Sequence, residues 1–529
     1  MPGKPPAKRL GAALLITFCI LAGCGDPTID GVSDADGESA NTHSVDNSEN
    51  RSLAVDPVKA FEWSVPAAGL IVTGHQIGYI EPCGCTEEQS GGLSRRGDLI
   101  RQLTERGWTL AGLDVGSLIR RHRLQSRFKF ETSISAMKDL GYRAVSLGPE
   151  ELALGLDYLL SQHILDDPKS IRFVTANLTF YDFPELGTPA RSHVFEIGKT
   201  RVGVTGILGD SIRLQVLPRG YSTEVQYAAP EDVLPDVLAS LRNENPDLLV
   251  LLLMSDAEEA TRLAEAFPEF DLIVSSSGPE DPWEAPSRVG RTLIVQVGRK
   301  GKRAGVVGFY PDEQPRLRYE LVELDRHRFG DTPAMIEHMR YYQTRLKNEQ
   351  IAVAEPAVDH PSGATFVGAK ACADCHETAY EIWKHTPHAH AWESLDPANE
   401  LPGFERLKGI ARTHDPECLA CHVTGWHPQE VYRYRTGFIN EEYAADDAQV
   451  EMYRKLQGNQ CENCHGPGSR HIELVETGDV EAAGQEVRVT LEQARDKVCN
   501  ECHDLDNSPA FEFDPYWEEV RHYELSSDE

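Results

Sequence analysis

The polarity pattern divides the chain into an N-terminal α/β region and a C-terminal region with few apolar runs. Between residues 58 and 327, short β-rich apolar runs alternate with stretches of helical periodicity. This alternation is typical of an α/β domain with a mixed sheet. The strand candidates are Leu70–Thr73, Thr109–Asp114, Ala144–Leu147, Phe173–Ala176, Val202–Gly206, Leu248–Met254, Leu272–Ser275, Leu293–Val297 and Gly305–Tyr310. The helix candidates include Gly92–Arg106, Phe130–Leu140, Pro230–Arg242 and Ala257–Ala266.

Beyond residue 327 the pattern changes. Thr332–Glu349 predicts a linker helix, and a loop follows it, so residues 328–364 are interpreted as a linker. Residues 365–529 contain few apolar side chains for a core. We therefore expect a mainly α, loop-rich domain that depends on bound cofactors for its stability.

The N-terminus has the pattern of an export signal. Basic residues precede an apolar stretch, Leu10–Ala22, that is too short to span a bilayer as a stable helix. It ends in Leu-Ala-Gly-Cys24, which resembles a bacterial lipoprotein cleavage site, so residues 1–23 are predicted to be removed and Cys24 to be lipidated. An ordinary secretory peptide that happens to contain a cysteine is the alternative. Gly25 follows the lipidated cysteine, which favours the outer membrane over the inner one.

Composition restricts the location and the partners further. Residues 24–57 are polar and acidic, which predicts a disordered tether between the lipid and the folded body. The formal net charge is −32, which argues against nucleic acid and favours redox partner proteins. We expect a protein of the bacterial cell envelope that faces the periplasm; the oligomeric state is left open.

Four copies of Cys-x-x-Cys-His occur in the C-terminal region. They are motif I (Cys372, Cys375, His376), motif II (Cys418, Cys421, His422), motif III (Cys461, Cys464, His465) and motif IV (Cys499, Cys502, His503). This spacing is the attachment pattern of c-type haem: the two thiols form thioethers, and the histidine is the proximal iron ligand. Zinc knuckles or thiol redox pairs are the alternatives, but they do not require a histidine after every pair. The sequence therefore predicts four covalently bound haems c.

The numbers of methionines and histidines in the C-terminal region limit the choice of distal iron ligands. Met452 is the only methionine after residue 366, so at most one haem has Met/His ligation. Histidines outside the motifs outnumber the four distal positions. The distal candidates are His388, His414, His471, His390 and His385, with the first three preferred, whereas His427 and His522 are assigned to the surface. His385 and His390 are alternatively acid/base groups or neighbours of a propionate.

The C-terminal motifs resemble the tetrahaem cytochrome family whose best-known members accept electrons from hydroxylamine oxidation in nitrifying bacteria. The resemblance covers about residues 365–505 and includes the segments Thr386–Ala391 and Cys461–His471. It implies mostly bis-His haems stacked in close pairs, and it allows one haem to be five-coordinate. It also implies that His388 and His471 are distal ligands; His414 matches the family pattern less closely.

Residues 69–310 resemble the metallophosphoesterase domain of the 5′-nucleotidase group. That resemblance implies two β-sheets flanked by helices. The usual metal ligands are replaced, however, and the departures are His75–Gly78, Gly116–Ser117, Gly148–Glu151, Ser255 and Ser275–Gly278. Because serine and proline cannot hold a di-metal centre, we expect no phosphoesterase activity. The alternative is a single metal ion bound by His75, Glu150, Glu151 and Asp256.

Two of the twelve cysteines are left after haem attachment, lipidation of Cys24 and removal of Cys19 with the signal peptide. Cys83 and Cys85 form a Pro-Cys-Gly-Cys sequence that some exported relatives with attached cytochromes also have. They are interpreted as a redox or metal-binding pair, and simple packing is the alternative.

These features together predict an electron-transfer protein whose α/β domain serves for docking or support and has no catalytic residues. The alternatives are a redox enzyme with one open haem that acts on a small nitrogen or sulfur species, and a ligand-binding redox sensor.

Overall fold

The structure is a computed structural model, and it describes residues 57–82, 89–121, 123–162, 170–216, 224–276, 280, 282 and 285–522. The predicted signal peptide, the lipidated Cys24, the tether and the Cys83–Cys85 pair lie outside the described residues.

Two six-stranded sheets form the centre of the α/β region. Their strands are β1 (Ala68–Thr73), β2 (Leu110–Asp114), β3 (Tyr142–Val145), β4 (Arg172–Phe173), β5 (Leu178–Phe180), β6 (His193–Ile197), β7 (Thr200–Leu208), β8 (Val225–Tyr227), β9 (Leu248–Met254), β10 (Leu272–Ser275), β11 (Ser287–Val289), β12 (Thr292–Gln296), β13 (Arg303–Phe309) and β14 (Leu317–Glu323). The first sheet has the order β14-β13-β1-β2-β3-β4, the second has the order β11-β12-β10-β9-β7-β6, and β5 pairs with β8. In the first sheet β1, β2, β3 and β4 are parallel, and β13 and β14 add antiparallel strands on the other side of β1. In the second sheet the parallel strands β12, β10, β9 and β7 lie between the antiparallel edge strands β11 and β6, so both sheets have the predicted mixed architecture.

Alternation of side chains along the strands explains why the sheets stack. In β9, Leu248, Val250 and Leu252 point into the core between the two sheets. The intervening Leu249, Leu251 and Leu253 pack against helices on the outer face. Successive strand residues point to opposite faces, so a strand that is apolar throughout must be covered on both sides.

Helices cover both outer faces. In this region they are α1 (Leu93–Glu105), α2 (Leu124–Asp139), α3 (Pro149–Leu152), α4 (Leu156–Gln162), α5 (Asp210–Val216), α6 (Pro230–Asn243), α7 (Ala257–Ala266), α8 (Pro333–Asn348) and α9 (Ile351–Ala354). The α8 helix is the predicted linker helix; Met335, Met339 and Leu346 bury its apolar face in the same core as α1 and α2. Prediction missed the edge strands β6, β11 and β14 and the short pair β5 and β8, and α2 begins six residues before its predicted start.

The C-terminal region consists of short helices and loops, as predicted. Its helices are α10 (Ala369–Ala373), α11 (Glu377–Trp383), α12 (Pro416–His422), α13 (Asp447–Lys455), α14 (Cys461–His465), α15 (Ser469–Glu476), α16 (Val480–Val487), α17 (Leu491–Gln493) and α18 (Phe513–Val520), with a small hairpin of β15 (Trp426–His427) and β16 (Tyr432–Arg433). The core of this region is one apolar cluster, which is centred on Leu419, Phe438 and Leu456.

The two regions belong to one compact unit of residues 55–529 and are joined by buried polar contacts. Asp415, which caps α12, accepts hydrogen bonds of 2.7 Å from Gln125 on α2 and from Gln343 on α8. Two residues later, Glu417 pairs with Lys129 at 2.5 Å and with Arg121 at 3.1 Å. Burial alone would raise the pKa of Glu417, but Lys129 and Arg121 hold it below its ordinary value. The α/β region thus fixes the helix that contains motif II.

We expect Lys129→Met to lower the free energy of unfolding of the holoprotein by about 1–3 kcal/mol, because the nearest cation of a half-buried carboxylate is removed. Denaturant titration followed by tryptophan fluorescence measures this change. Arg435→Gln is the matched control: Arg435 pairs with Asp359 on the surface, where both side chains are more than half exposed, so little change is expected. Equal stability of the Lys129→Met variant and the wild type would contradict a supporting role for this contact.

Candidate haem centre

Each Cys-x-x-Cys-His motif lies on a short helical turn. Motif II ends α12, motif III is α14, and in motifs I and IV the amide of the histidine donates to the carbonyl of the first cysteine at 2.8 Å. One turn of helix brings residues i, i+3 and i+4 to the same side. All eight motif cysteines are free thiols, so they are available to form thioethers on that side.

Three of the motif histidines face a second histidine across a gap. The ring centroids are 6.2 Å apart for His376 and His471, and 6.0 Å apart for His503 and His388. They are 5.9 Å apart for His465 and His522. An imidazole nitrogen binds a metal at about 2.0–2.1 Å, so two imidazoles on opposite sides of one iron have centroids roughly 6 Å apart. The residues present therefore fit bis-His haem iron at these three positions.

Hydrogen bonds at Nδ1 orient several of these rings. The Nδ1 atoms of His465 and His471 lie 2.8 Å from the carbonyl oxygens of Val487 and Ala483, both on α16. The Nδ1 of His422 lies 2.7 Å from the Ala391 carbonyl oxygen. A ring that donates from Nδ1 presents a bare Nε2, which is the nitrogen available to a metal.

The cysteines also give the order of the motifs in space. Cys372 of motif I lies close enough to Cys461 of motif III for the two thiols to affect each other's pKa, and Cys421 of motif II is likewise close to Cys502 of motif IV. Cys464 of motif III interacts electrostatically with Cys499 of motif IV. The neighbouring motifs are therefore I with III, III with IV, and IV with II.

Motif III connects the other motifs through the two residues between its cysteines. The Glu462 carboxylate, 4 % exposed, accepts from the amides of Val367, Gly368 and Gly468 at 2.7–3.2 Å. Gly368 caps α10, which leads into motif I. Asn463 donates at 3.0 Å to the carbonyl of Val423, the residue after motif II. Burial raises the pKa of Glu462, although the amide donors oppose that rise.

The remaining sequence-predicted histidines are placed elsewhere. His414 lies 2.9 Å from the Tyr443 hydroxyl through Nδ1 and 3.3 Å from Glu442 through Nε2, and burial lowers its pKa. His385 and His390 are exposed, and His390 pairs with Glu393 at 2.9 Å. Sequence reasoning did not select His522, because no local pattern marks it and only the packing of α18 brings it to His465.

Met254 lies among the segments that depart from the metal-binding pattern of the phosphoesterase resemblance. Met254, fully buried, has its Sδ 3.1 Å from Ser276 Oγ and 3.9 Å from Ser117 Oγ. A Cβ at Gly148 would lie only 2.9 Å from the Met254 methyl carbon. The thioether side chain therefore occupies the space between three of the segments that depart from the metal-binding pattern.

Three of the four alternative single-ion ligands, Glu150, Glu151 and Asp256, have structural partners, whereas the buried Nε2 of His75 has no hydrogen-bond partner among the described residues. Glu151 accepts three backbone hydrogen bonds of 2.6–3.1 Å, and burial followed by repulsion from Glu150 raises its pKa to about 7. Glu150 binds Ser117 Oγ at 2.7 Å, and Asp256 caps α7. Burial, with Arg299 nearby, lowers the pKa of His75 to about 4. Within the part of the chain that the structure describes, no group of three or more His, Cys, Asp and Glu residues is arranged to hold a metal ion.

None of the described helices combines the length and the apolar character that crossing a bilayer requires.

Part of the C-terminal region is similar to known cytochromes. Residues 371–466 match the family model "Cytochrome c554 and c-prime", a range that includes motifs I, II and III. Cytochrome c-554 of Nitrosomonas europaea is 33% identical over 109 residues, which are 20% of this chain and 40% of that cytochrome. The chain thus spans less than half the length of this curated relative. The match confirms the resemblance predicted from the motifs.

Solved structures similar to this chain include a nucleotidase, a thiohydrolase and a calcineurin-like phosphoesterase. A 5′-nucleotidase precursor of Thermus thermophilus has a TM-score of 0.45 at 20% identity and covers 55% of this chain and 61% of its own. The sulfate thiohydrolase SoxB of Thermus thermophilus has a TM-score of 0.44 at 17% identity, with coverages of 61% and 68%. The calcineurin-like phosphoesterase YfkN of Bacillus subtilis has a TM-score of 0.42 at 16% identity, with coverages of 54% and 98%.

We expect Glu462→Ala to cost about 3 kcal/mol or more of stability, because three buried amides lose their acceptor at about 1–3 kcal/mol each. The loss should appear in denaturant titration together with a lower haem content. Asp374→Ala is the control: Asp374 is also an acidic residue between the cysteines of a motif, but it is exposed. A Glu462→Ala variant as stable and as haem-loaded as the control would contradict this role.

Proposed function

We propose that this chain, whose C-terminal region is a multihaem c-type cytochrome, carries electrons through four covalently bound haems in the bacterial cell envelope. The observation that supports this function is the coincidence of four Cys-x-x-Cys-His motifs with three histidine pairs at the spacing of bis-His iron. Bis-His iron is low-spin and has no open position for a substrate, which suits electron transfer.

In this proposal the motif histidines are the proximal ligands, and each distal ligand follows from a ring pair. The motif I haem has His376 and His471, the motif III haem has His465 and His522, and the motif IV haem has His503 and His388. His422 is the proximal ligand of the motif II haem. These residues bind and orient the iron, and the haems supply the one-electron chemistry.

The contacts among the motif cysteines support one route for the electrons. Because motif I adjoins III, III adjoins IV and IV adjoins II, electrons hop along the order I–III–IV–II or its reverse. The motif I and motif II haems are then the two ends of the route, where redox partner proteins dock.

The α/β region acts as a support without catalysis. Met254 packs between the segments that replace the usual metal ligands, and Glu151 and Glu150 beside it accept hydrogen bonds from the backbone and from serine. The same region contacts the motif II helix through Lys129 and Gln125. A fold can be retained for its surface after its chemistry is lost.

The chain is proposed to be a lipoprotein. Lipidation of Cys24 after removal of residues 1–23 would hold the folded body at the periplasmic face of the outer membrane. Attachment of c-type haem outside the bacterial cytoplasm agrees with such export.

Electron paramagnetic resonance of the oxidised holoprotein tests the ligand assignment. We expect four haems per chain by pyridine haemochrome assay and low-spin ferric signals from at least three of them. His522→Ala should convert one low-spin signal to a high-spin signal that nitric oxide abolishes, because the motif III iron loses its distal ligand.

His427→Ala is the matched control, since the His427 ring packs against Tyr432 at 5.0 Å and has no assigned iron. Identical spectra for the His522→Ala and His427→Ala variants would refute the assignment. A high-spin signal in the wild type that nitric oxide removes would instead favour a redox enzyme with one open haem.

We expect no phosphoesterase activity. The purified full-length protein should hydrolyse neither p-nitrophenyl phosphate nor AMP with added Mg²⁺, Mn²⁺ or Zn²⁺, and elemental analysis should find iron alone. Turnover that requires one of these ions and disappears with a chelator would overturn the supporting role of the α/β region.

A further inference from the structure

A buried arginine lies where the α/β region meets the loop that precedes motif II. The Arg412 side chain is 8% exposed, and its Nη2 donates to Glu81 of the α/β region at 2.7 Å. Its Nη1 is buried and has no hydrogen-bond partner among the protein atoms that the structure describes. Arg412 therefore has one end fixed by an ion pair and a second donor group that the described protein leaves unused.

An unused donor on a buried guanidinium is unfavourable. Leaving a buried polar group unsatisfied costs about 1–3 kcal/mol, and more when the group is charged. A guanidinium is always protonated and presents its N–H groups in a planar fork that matches a carboxylate. The missing acceptor is therefore expected to be an anion, and a carboxylate suits the fork best.

The backbone contacts of Arg412 place it beside motif II. Its amide donates to the carbonyl of Leu395 at 2.8 Å, and its own carbonyl accepts from Asp415, the cap of α12, at 3.1 Å. The residue before Leu395 is Ser394, whose hydroxyl is 3.2 Å from the Nδ1 of His422. Arg412 is thus held between the start of the motif II helix and the segment that contacts the motif II histidine.

We propose that Arg412 binds a propionate of the haem attached at Cys418 and Cys421, and that Glu81 holds the guanidinium in place for it. The proposal rests on the proposed function, because it requires haem at motif II. A haem propionate is the carboxylate that this cofactor brings to the protein.

Further ion pairs connect Glu81 and Arg412 to the α/β region. The second oxygen of Glu81 is 4.0 Å from Lys408, and Lys408 pairs with Asp331 at 2.6 Å. Asp331 lies in the segment between β14 and α8, so the α/β region contributes acidic residues on both sides of the Lys408 ammonium. Through Glu81 the α/β region becomes part of the binding site of one haem and acts on its electronic properties.

The reduction potential of a single haem tests the proposal. A cation near the iron favours the reduced, less positive state, so Arg412→Gln should shift one of four midpoint potentials to more negative values and leave the others in place. Arg412→Lys retains the charge and should restore most of the shift. In resonance Raman spectra, the propionate bending band of one haem in Arg412→Gln should differ from that of the wild type.

Two further variants separate this role from general stabilisation. Glu81→Gln should produce a smaller shift in the midpoint potential of the same haem. The Arg412 guanidinium then loses its ion-pair partner but keeps its charge. Arg435→Gln removes an exposed arginine of the same region and should leave all four potentials unchanged.

Unchanged potentials in Arg412→Gln with all four haems present would overturn the proposal. Loss of haem from Arg412→Gln together with unshifted potentials in Arg412→Lys and Glu81→Gln would also overturn it and would indicate a structural role only. A wild-type protein without haem at motif II would give fewer than four haems per chain in the pyridine haemochrome assay. That result would refute the proposed function itself.

Discussion

The cytochrome region depends on one buried carboxylate. A domain with a single small apolar cluster cannot hold four separate motifs in register by hydrophobic packing alone. Glu462 supplies the missing constraint because its two oxygens accept the amides at the start of the motif I helix and at the turn after motif III. Together with Asn463, which binds the end of motif II, it makes motif III the fixed point around which motifs I and II are arranged.

The α/β region supplies a second constraint of a different kind. Its two sheets and outer helices form a large apolar core, and polar side chains of this region contact the cytochrome region. These side chains contact motif II through Asp415 and Glu417, and the loop after motif IV through Lys300, which pairs with Asp506. Motifs II and IV are therefore supported from outside the cytochrome region, whereas Glu462 and α16 support motifs I and III from within it.

The sequence predicted most of the scaffold and the covalent chemistry, because both depend on local patterns. The uninterrupted apolar run of β9 marks a central strand, and Cys-x-x-Cys-His marks a haem wherever it occurs. Features that depend on tertiary packing were not predictable. His522 was assigned to the surface, although it comes to lie across from His465, and the preferred His414 uses both ring nitrogens within the protein. The sequence also did not predict the roles of Glu462 and Met254. Glu462 lies between the two cysteines of motif III, where the motif specifies no residue type, and Met254 is the last residue of the buried strand β9.

The α16 helix joins two haem positions by its backbone alone. The carbonyls of Ala483 and Val487, one turn apart, lie 2.8 Å from the Nδ1 atoms of His471 and His465, the two rings proposed to bind the irons of motifs I and III. A rotation of this helix about its axis turns both ring planes in the same sense. Under the proposed ligation these rings bind different irons, so a shift of this one helix would change the orientation of an axial ligand at both.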